Sequence, residues 1–245
     1  MRILPPKQPL VKLLGRGDFF LWEYYGEGVL GKIKAWIFRS RIRALVGFLW
    51  KVRPNLRMIL DVGCGPMFIS YTLTSDKNEY VGVDIISSDR LKKYRDVMNN
   101  MGVKRLHVVR AGAEQLPFKE RVFDVVLALD VLEHLSKPRL AVMEIIRVMK
   151  NDGMFAISLP LENLIQKLCR IGFILMKIGG DPILKHARSV PITRTPEYHY
   201  VGDVKSYDDM IKMLKEFLIF THSDYTPVGL HKSINVNAIH IAQKP

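Results

Sequence analysis

The sequence predicts an α/β fold built around a parallel sheet, and three observations carry the prediction. From about residue 57 onward, short apolar runs alternate with stretches of helical spacing, the pattern of βαβ units. The first run, Ile59-Leu60-Asp61-Val62, leads directly into Gly63-Cys64-Gly65-Pro66. Glycine is what a strand needs where its backbone must turn tightly and let a ligand approach. The next run closes Val81-Gly82-Val83-Asp84 and so places a carboxylate 19 residues after Gly65.

The elements follow in order. Residues 1–57 open with Pro5, Pro6 and Pro9, then carry Leu30, Ile33 and Ile37, and again Phe38, Ile42, Leu45 and Leu49, at helical spacing. Lys and Arg at 32, 34, 39, 41 and 43 fill much of the remaining face. This is a basic amphipathic helix, expected to bend or break near Gly31 or Gly47 and to end before Pro54. Strands are expected at 57–62, 80–84, 106–109, 123–129 and 154–159. Helices are expected at 67–75, 88–100 and 138–149, the last closing at an Asn151-Asp152-Gly153 turn. Residues 113–116 give a turn at most. Residues 207–217 have helical spacing, and 220–225 and 234–242 alternate like two antiparallel strands. Between the fifth strand and that helix, Leu164, Leu168, Ile171, Leu175 and Ile178 form one apolar stripe with Lys167, Arg170 and Lys177 among them. We read 160–200 as a cap inserted over the carboxyl ends of the strands, where open parallel sheets bind ligands. The expected organisation is therefore a basic helical region, 1–57, and a sheet domain, 58–245, carrying that cap.

Composition excludes several classes. With 245 residues, 48% apolar and 25% charged, the chain has the material for a globular core and none of the bias of a disordered chain. Its two cysteines, Cys64 and Cys169, lie far apart without a Cys-x-x-Cys spacing, which indicates neither a disulfide framework nor a zinc knuckle. No apolar run is long enough for a membrane span and the first residues lack a signal-peptide core, so a reducing, cytoplasmic location is expected. Net charge is +13. Residues 1–57 hold twelve Lys or Arg against Asp18, Glu23 and Glu27, which is +9 of that total. Such asymmetry suits a phosphate-rich partner, an anionic membrane or an acidic substrate, and equally a solvated face.

Asp84 can accept hydrogen bonds from both hydroxyls of a ribose, which serves any adenosine cofactor. A dinucleotide fingerprint starting at Gly63 wants glycine at 68, and Phe68 stands there. No Gly-Lys-Ser/Thr follows, which removes a P-loop. Asp61, just before the turn, offers a carboxylate to an ammonium group and so suits an amino acid moiety better than a diphosphate.

The turn resembles motif I of the class I S-adenosylmethionine-dependent methyltransferases, in the broad small-molecule, type 11-like branch. Gly112-Ala113-Glu114-Gln115-Leu116-Pro117-Phe118 is similar to the loop after the third strand of that branch, and Phe123 to Leu135 to its fourth-strand motif. Arg147 to Met154 is similar to the helix-turn-strand that follows. The resemblance implies a Rossmann-like seven-stranded sheet with the last strand antiparallel. It also implies S-adenosylmethionine held by Asp61, Gly63, Cys64, Gly65, Asp84 and Ile85, by Ala113 and Glu114 at the adenine, and by Leu129 and Asp130. Amino-terminal helices commonly cover the cofactor in this family, which brings Tyr25, beside Tyr24, to its methionine end. Two positions depart from the pattern. Met67 stands where a third glycine is usual, and is expected to narrow the cofactor channel; Gly112 stands where an aspartate often reads the adenine edge.

Methyl transfer requires chiefly that nucleophile, methyl and sulfur be aligned and desolvated. A general base is needed only where the acceptor must lose a proton, and the candidates are His134, Asp130, Glu133 and His199, with His134 and His199 put forward as catalytic. Asp130, Glu133 and His134 lie at i, i+3 and i+4, a spacing compatible with a base, metal ligands or a local cap; no metal site is assigned. His107, within a strand, is expected to be buried or paired, and Cys64 to be a small packing residue.

The expected function is methyl transfer to a small-molecule or lipid-like acceptor, the apolar stripe at 164–178 walling a greasy pocket and its Lys and Arg meeting anionic head groups, with peripheral membrane contact a further expectation. An RNA or protein methyltransferase using the basic face is the alternative, but no RNA-binding module or base-methylation tetrapeptide accompanies it. A non-catalytic binding protein on the same fold is the third reading, resting on Met67 and Gly112. Oligomeric state is open.

Overall fold

A computed structural model of the chain describes residues 4–14, 24–26, 28–53, 55–161, 204–226 and 237–245. Two helices, α1 (Lys7–Leu14) and α2 (Gly28–Val52), precede a sheet whose strands are β1 (Met58–Val62), β2 (Glu79–Asp84), β3 (Leu106–Arg110), β4 (Phe123–Leu129), β5 (Met149–Pro160), β6 (Ile219–Thr226) and β7 (Asn237–Gln243). Between them lie α3 (Ser70–Leu73), α4 (Ser88–Asn100), α5 (Pro138–Val148) and α6 (Tyr207–Lys215). The strand order is β3-β2-β1-β4-β5-β7-β6. The first five strands run parallel, while β7 is antiparallel to both β5 and β6. The seven-stranded expectation, antiparallel last strand included, agrees with this topology.

Side-chain alternation along β1 splits the core into two layers. Ile59 and Met154 join Ile42, Leu45 and Leu49 of α2 on one face, together with Ile239 and Ile241 of β7. Leu60 and Val62 join Val142 and Ile145 of α5, and Met210 and Leu214 of α6, on the other. Because α2 shares its core with the sheet, the amino-terminal helix is fixed relative to the strand ends. The Asp124 carboxylate adds a polar tie across β1, β4 and β5: it accepts from the Arg57 and Met58 amides at 3.1 and 2.8 Å and meets Lys150 Nζ at 2.7 Å.

Several expectations need correction. The basic helix does not break at Gly31 or Gly47; α2 runs unbroken for 25 residues, since packing of its apolar face outweighs the roughly 1 kcal/mol that glycine costs in a helix. The helix expected at 67–75 shrinks to four residues, because Met67 takes a left-handed φ of 57° and the chain up to Ser70 is a series of tight turns. Asn151-Asp152-Gly153 does not separate α5 from a later strand. It lies inside β5 as a register shift between Phe123↔Met149 and Val125↔Met154. His107 meets the paired half of its expectation: exposed on the edge strand β3, it stands with Nε2 2.9 Å from the Glu79 carboxylate. Of the cap expected at 160–200, residues 162–200 lie outside the described residues, and with them His199 and Cys169, while Pro160 ends β5.

Candidate active site

The carboxyl ends of β1, β2 and β4 converge where a glycine turn leaves β1. Gly63 adopts φ +70° and Gly65 φ +48°, conformations open to glycine at little cost. A Cβ on Gly63 would also stand 2.4 Å from Val131 Cγ2. The turn is pinned to β2: the Gly63 and Cys64 amides donate to Val83 O at 2.7 and 3.0 Å. Asp84 completes it by accepting from the Gly65 amide at Oδ2 (2.9 Å) and the Ile86 amide at Oδ1 (3.1 Å). Both oxygens keep lone pairs for further donors. Beside it Ile85 is 72% exposed, an apolar side chain standing free at the end of β2. The loop after β3 closes alongside, with the Ala111 amide donating to Asp84 O at 3.2 Å and Ala113 buried. Glu114 occupies the space that Gly112 leaves, its Oε2 3.2 Å from where a Cβ would be.

Asp61 points to the α2 side of the sheet, where its buried carboxylate accepts from the Tyr80 hydroxyl. Burial pushes its pKa up to about 7, against the lowering effect of the Tyr80 bond, with Asp84 raising it further and Arg41 lowering it. A carboxyl so placed is half ionised at neutral pH and gains from any cation brought beside it.

Arg41, from α2, was not singled out by sequence reasoning, although it is one of six cations on a helix without acids. It is buried and paired with Asp130, the residue after β4. Asp130 itself has φ +56° and accepts from Ser158 and from Asn237 Nδ2 (3.1 Å). Arg41 also donates to the Ser158 hydroxyl at 3.5 Å and to Tyr24 Oη at 3.4 Å, while its Nε has no partner among the described residues. Tyr24, then, is the tyrosine that faces this cluster. Tyr25 is buried with its hydroxyl donated to Pro5 O and its ring beside Phe68. Only the rarity of an arginine at an otherwise core-facing helical position could have marked Arg41 in advance.

Asp130, Glu133 and His134 do not converge as their spacing suggested. The 3₁₀ turn Leu132–His134 buries Glu133 and leaves His134 partly open, with Nε2 3.9 Å from Glu133 Oε1, while Asp130 turns away to Arg41. Among the described residues no three His, Cys, Asp or Glu side chains gather as a metal site. Met67, expected to narrow the channel, is fully buried instead. Its Sδ and the Cys64 Sγ each lie 2.8 Å from where a Gly82 Cβ would be, so both sulfurs pack behind the turn. Burial raises the Cys64 thiol well above its ordinary pKa, which fits a packing role.

The geometry can seat a cationic, ribose-bearing ligand: a close-approach turn, a fixed carboxylate beside it, an exposed apolar side chain next to that carboxylate, and an electrostatically linked set in which Asp61, Asp84 and Asp130 outnumber Arg41.

Residues 60–157 match the family described as a methyltransferase domain. An uncharacterized methyltransferase of Mycobacterium sp. strain KMS is 33% identical over 119 residues, covering 47% of this chain and 45% of that protein. The chain thus spans about half the length of the first curated relatives it matches. The ubiquinone/menaquinone biosynthesis C-methyltransferase UbiE of Shewanella pealeana is 25% identical over 194 residues, 74% of each chain. Among solved structures, a Pyrococcus horikoshii OT3 protein superposes with a TM-score of 0.59 at 20% identity, covering 85% of this chain and 91% of its own; that likeness shows the fold.

Proposed function

We propose that this chain is a class I, type 11-like S-adenosylmethionine-dependent methyltransferase, as the match of residues 60–157 to a methyltransferase domain supports, and that it transfers a methyl group from S-adenosylmethionine to a small, amphiphilic acceptor. The observation that carries this reading is the Asp84 carboxylate fixed against the Gly65 amide, with Ile85 exposed beside it. When bound, the cofactor supplies an already activated methyl on a sulfonium. In this reading Asp84 holds the ribose hydroxyls, and the absence of side chains at Gly63 and Gly65 lets the cofactor lie against the turn. Ile85 and Ala113 cover the adenine faces, and Glu114 or a loop amide reads its edge.

Asp61 serves the cofactor's ammonium, releasing its own proton as the cation arrives. Leu129 and Asp130 line the methionine end, where Arg41 holds Asp130 in place and keeps α2 over the site. These groups bind and orient, and the apolar layer around them excludes water from the transfer. Where the acceptor must lose a proton, His134 on the turn after β4 serves as the base in this reading.

The amphiphilic acceptor is supported by the 74% mutual coverage with an enzyme named for quinone methylation. The apolar stripe at 164–178 gives further support at the sequence level. The test is methyl transfer from labelled S-adenosylmethionine to a panel of quinols, phenols, fatty amines and structured RNA. Transfer to an amphiphilic member, abolished by Asp84→Ala, supports the reading. Transfer to RNA alone would replace the acceptor assignment, and no transfer despite cofactor binding would favour a binding protein.

A further inference from the structure

Outside the site, the outward face of α2 carries features that neither the sheet nor methyl transfer uses. At 100° per residue, Arg39, Lys32, Arg43, Trp36, Ser40 and Ile33 fall within an arc of roughly 120°. Ile42, Leu45 and Leu49, which are buried against the sheet, lie on the opposite side. On the outward arc Trp36 is 51% and Ile33 44% exposed. A cavity of about 220 Å³ opens there, lined by Lys32, Trp36, Arg39, Ser40 and Arg43 together with Gly26 and Ala35, with no acidic side chain among the described residues. Lys32, Arg39 and Arg43 have no acidic partner among the described residues, although Arg39 donates its Nε to Tyr24 O at 2.9 Å and lies over the Tyr25 ring, and α2 itself contains no acid.

We infer that this face of α2 is a docking surface for an anionic phospholipid bilayer, with Trp36 and Ile33 entering the headgroup region and Lys32, Arg39 and Arg43 meeting lipid phosphates. The pairing of charge with an exposed indole and an exposed aliphatic chain decides between partners. A nucleic acid would use the cations but gains little from an isoleucine beside them. A bilayer interface uses both: indole rings settle at headgroup depth, and basic residues are drawn to anionic lipid. The cavity bounded by three cations and the Ser40 hydroxyl has the chemistry for a phosphate monoester or diester oxygen cluster. Arg41 and the core residues on the opposite side of the same helix tie this surface to the body of the fold, so docking would not require α2 to leave the sheet.

The test uses the full chain and sedimentation with sucrose-loaded vesicles of phosphatidylcholine alone or with 30% phosphatidylglycerol, alongside a single-stranded RNA oligonucleotide. Binding is expected only to the anionic vesicles. It should fall about 25-fold in Lys32→Gln/Arg43→Gln, from roughly fivefold per removed cation. Vesicles of brominated lipid should quench tryptophan emission in the wild type and much less in Trp36→Phe. Both variants alter exposed positions, and unchanged melting temperatures and S-adenosylhomocysteine binding confirm that they fold. Equal binding by the double variant, absence of Trp36-dependent quenching, or binding of the oligonucleotide but not of vesicles would each overturn the inference. None of these results depends on methyl transfer.

Discussion

The Arg41 guanidinium of α2 pairs with the carboxylate of Asp130, the residue that follows β4, inside a shell completed by Ser158 and Asn237. The pair joins the amino-terminal helix to the ligand-binding ends of the strands. It also gives the left-handed Asp130 backbone a reason to persist, since its side chain is held from three directions.

Breaking this pair from one side strands a charge. Arg41 is almost wholly buried and Asp130 partly so. Removing one partner of a buried pair costs about 3–5 kcal/mol, and replacing both can be nearly neutral. We expect Arg41→Met to destabilise by about 3 kcal/mol in urea unfolding, and Arg41→Met/Asp130→Asn to recover most of that loss. Equal destabilisation of the single and double variants would show that the pair is not what holds α2.

Asp61 sets a pH dependence of one sign. Its folded pKa is raised to about 7 by burial, against an ordinary value near 4. Between those values the folded protein holds a proton that the unfolded chain has released, so this group's contribution to stability falls as pH rises through the window. In Asp61→Asn, which keeps an acceptor for Tyr80, the melting temperature relative to wild type should be higher at pH 7.5 than at pH 4.5. The same variant should bind S-adenosylhomocysteine more weakly. A difference in melting temperature that does not change with pH would contradict the assignment.

His240 sets the opposite slope. Its Nδ1 lies 2.8 Å from Ser223 Oγ and its Nε2 2.9 Å from Tyr207 Oη, with its ring stacked on Phe220. Burial, with Lys215 and His222 nearby, lowers its pKa to about 4. Its contribution is complete above about pH 6.5 and is lost as pH falls towards 4, because the unfolded chain takes up the proton first. Since Asp61 and His240 act in overlapping windows with opposite signs, only differences between variant and wild type separate them. His240→Gln should show a shallower acid-side loss of stability in thermal melts from pH 7 to pH 4.

Met67 and Gly82 are two sides of one contact. Met67→Gly relieves a left-handed residue, worth about 1–2 kcal/mol, but empties a fully buried position, which costs roughly 2–5 kcal/mol. The cavity prevails, and destabilisation of about 1–3 kcal/mol is expected, with S-adenosylhomocysteine affinity within about threefold of wild type because the side chain packs behind the turn. Gly82→Ala pushes a methyl onto Cys64 and Met67 and should displace the turn, reducing that affinity as well as stability. Calorimetric titration of both variants checks this contrast.

The sheet was legible because its signals are local. Buried parallel strands read as apolar runs, and Gly63, Gly65 and Asp84 announce a turn whose backbone cannot be built otherwise. What stayed hidden depends on contacts distant in sequence. The contact of Arg41 with Asp130, 89 positions away, leaves no trace in spacing, and the i, i+3, i+4 pattern of Asp130, Glu133 and His134 misled because one left-handed residue breaks the helical register. The unbroken α2 and the bulged Asn151-Asp152-Gly153 show the same thing: tertiary packing overrides glycine's local preference.

The central claim, an adenosyl cofactor seated between the Gly63–Gly65 turn and Asp84, is tested most directly by calorimetric titration of wild type and Asp84→Ala with S-adenosylhomocysteine. Wild type should bind one equivalent, and the variant should lose at least about 30-fold in affinity, since two hydrogen bonds to a charged acceptor contribute more than 2 kcal/mol together. Equal affinity of a folded Asp84→Ala protein, or no binding by the wild type, would contradict the account.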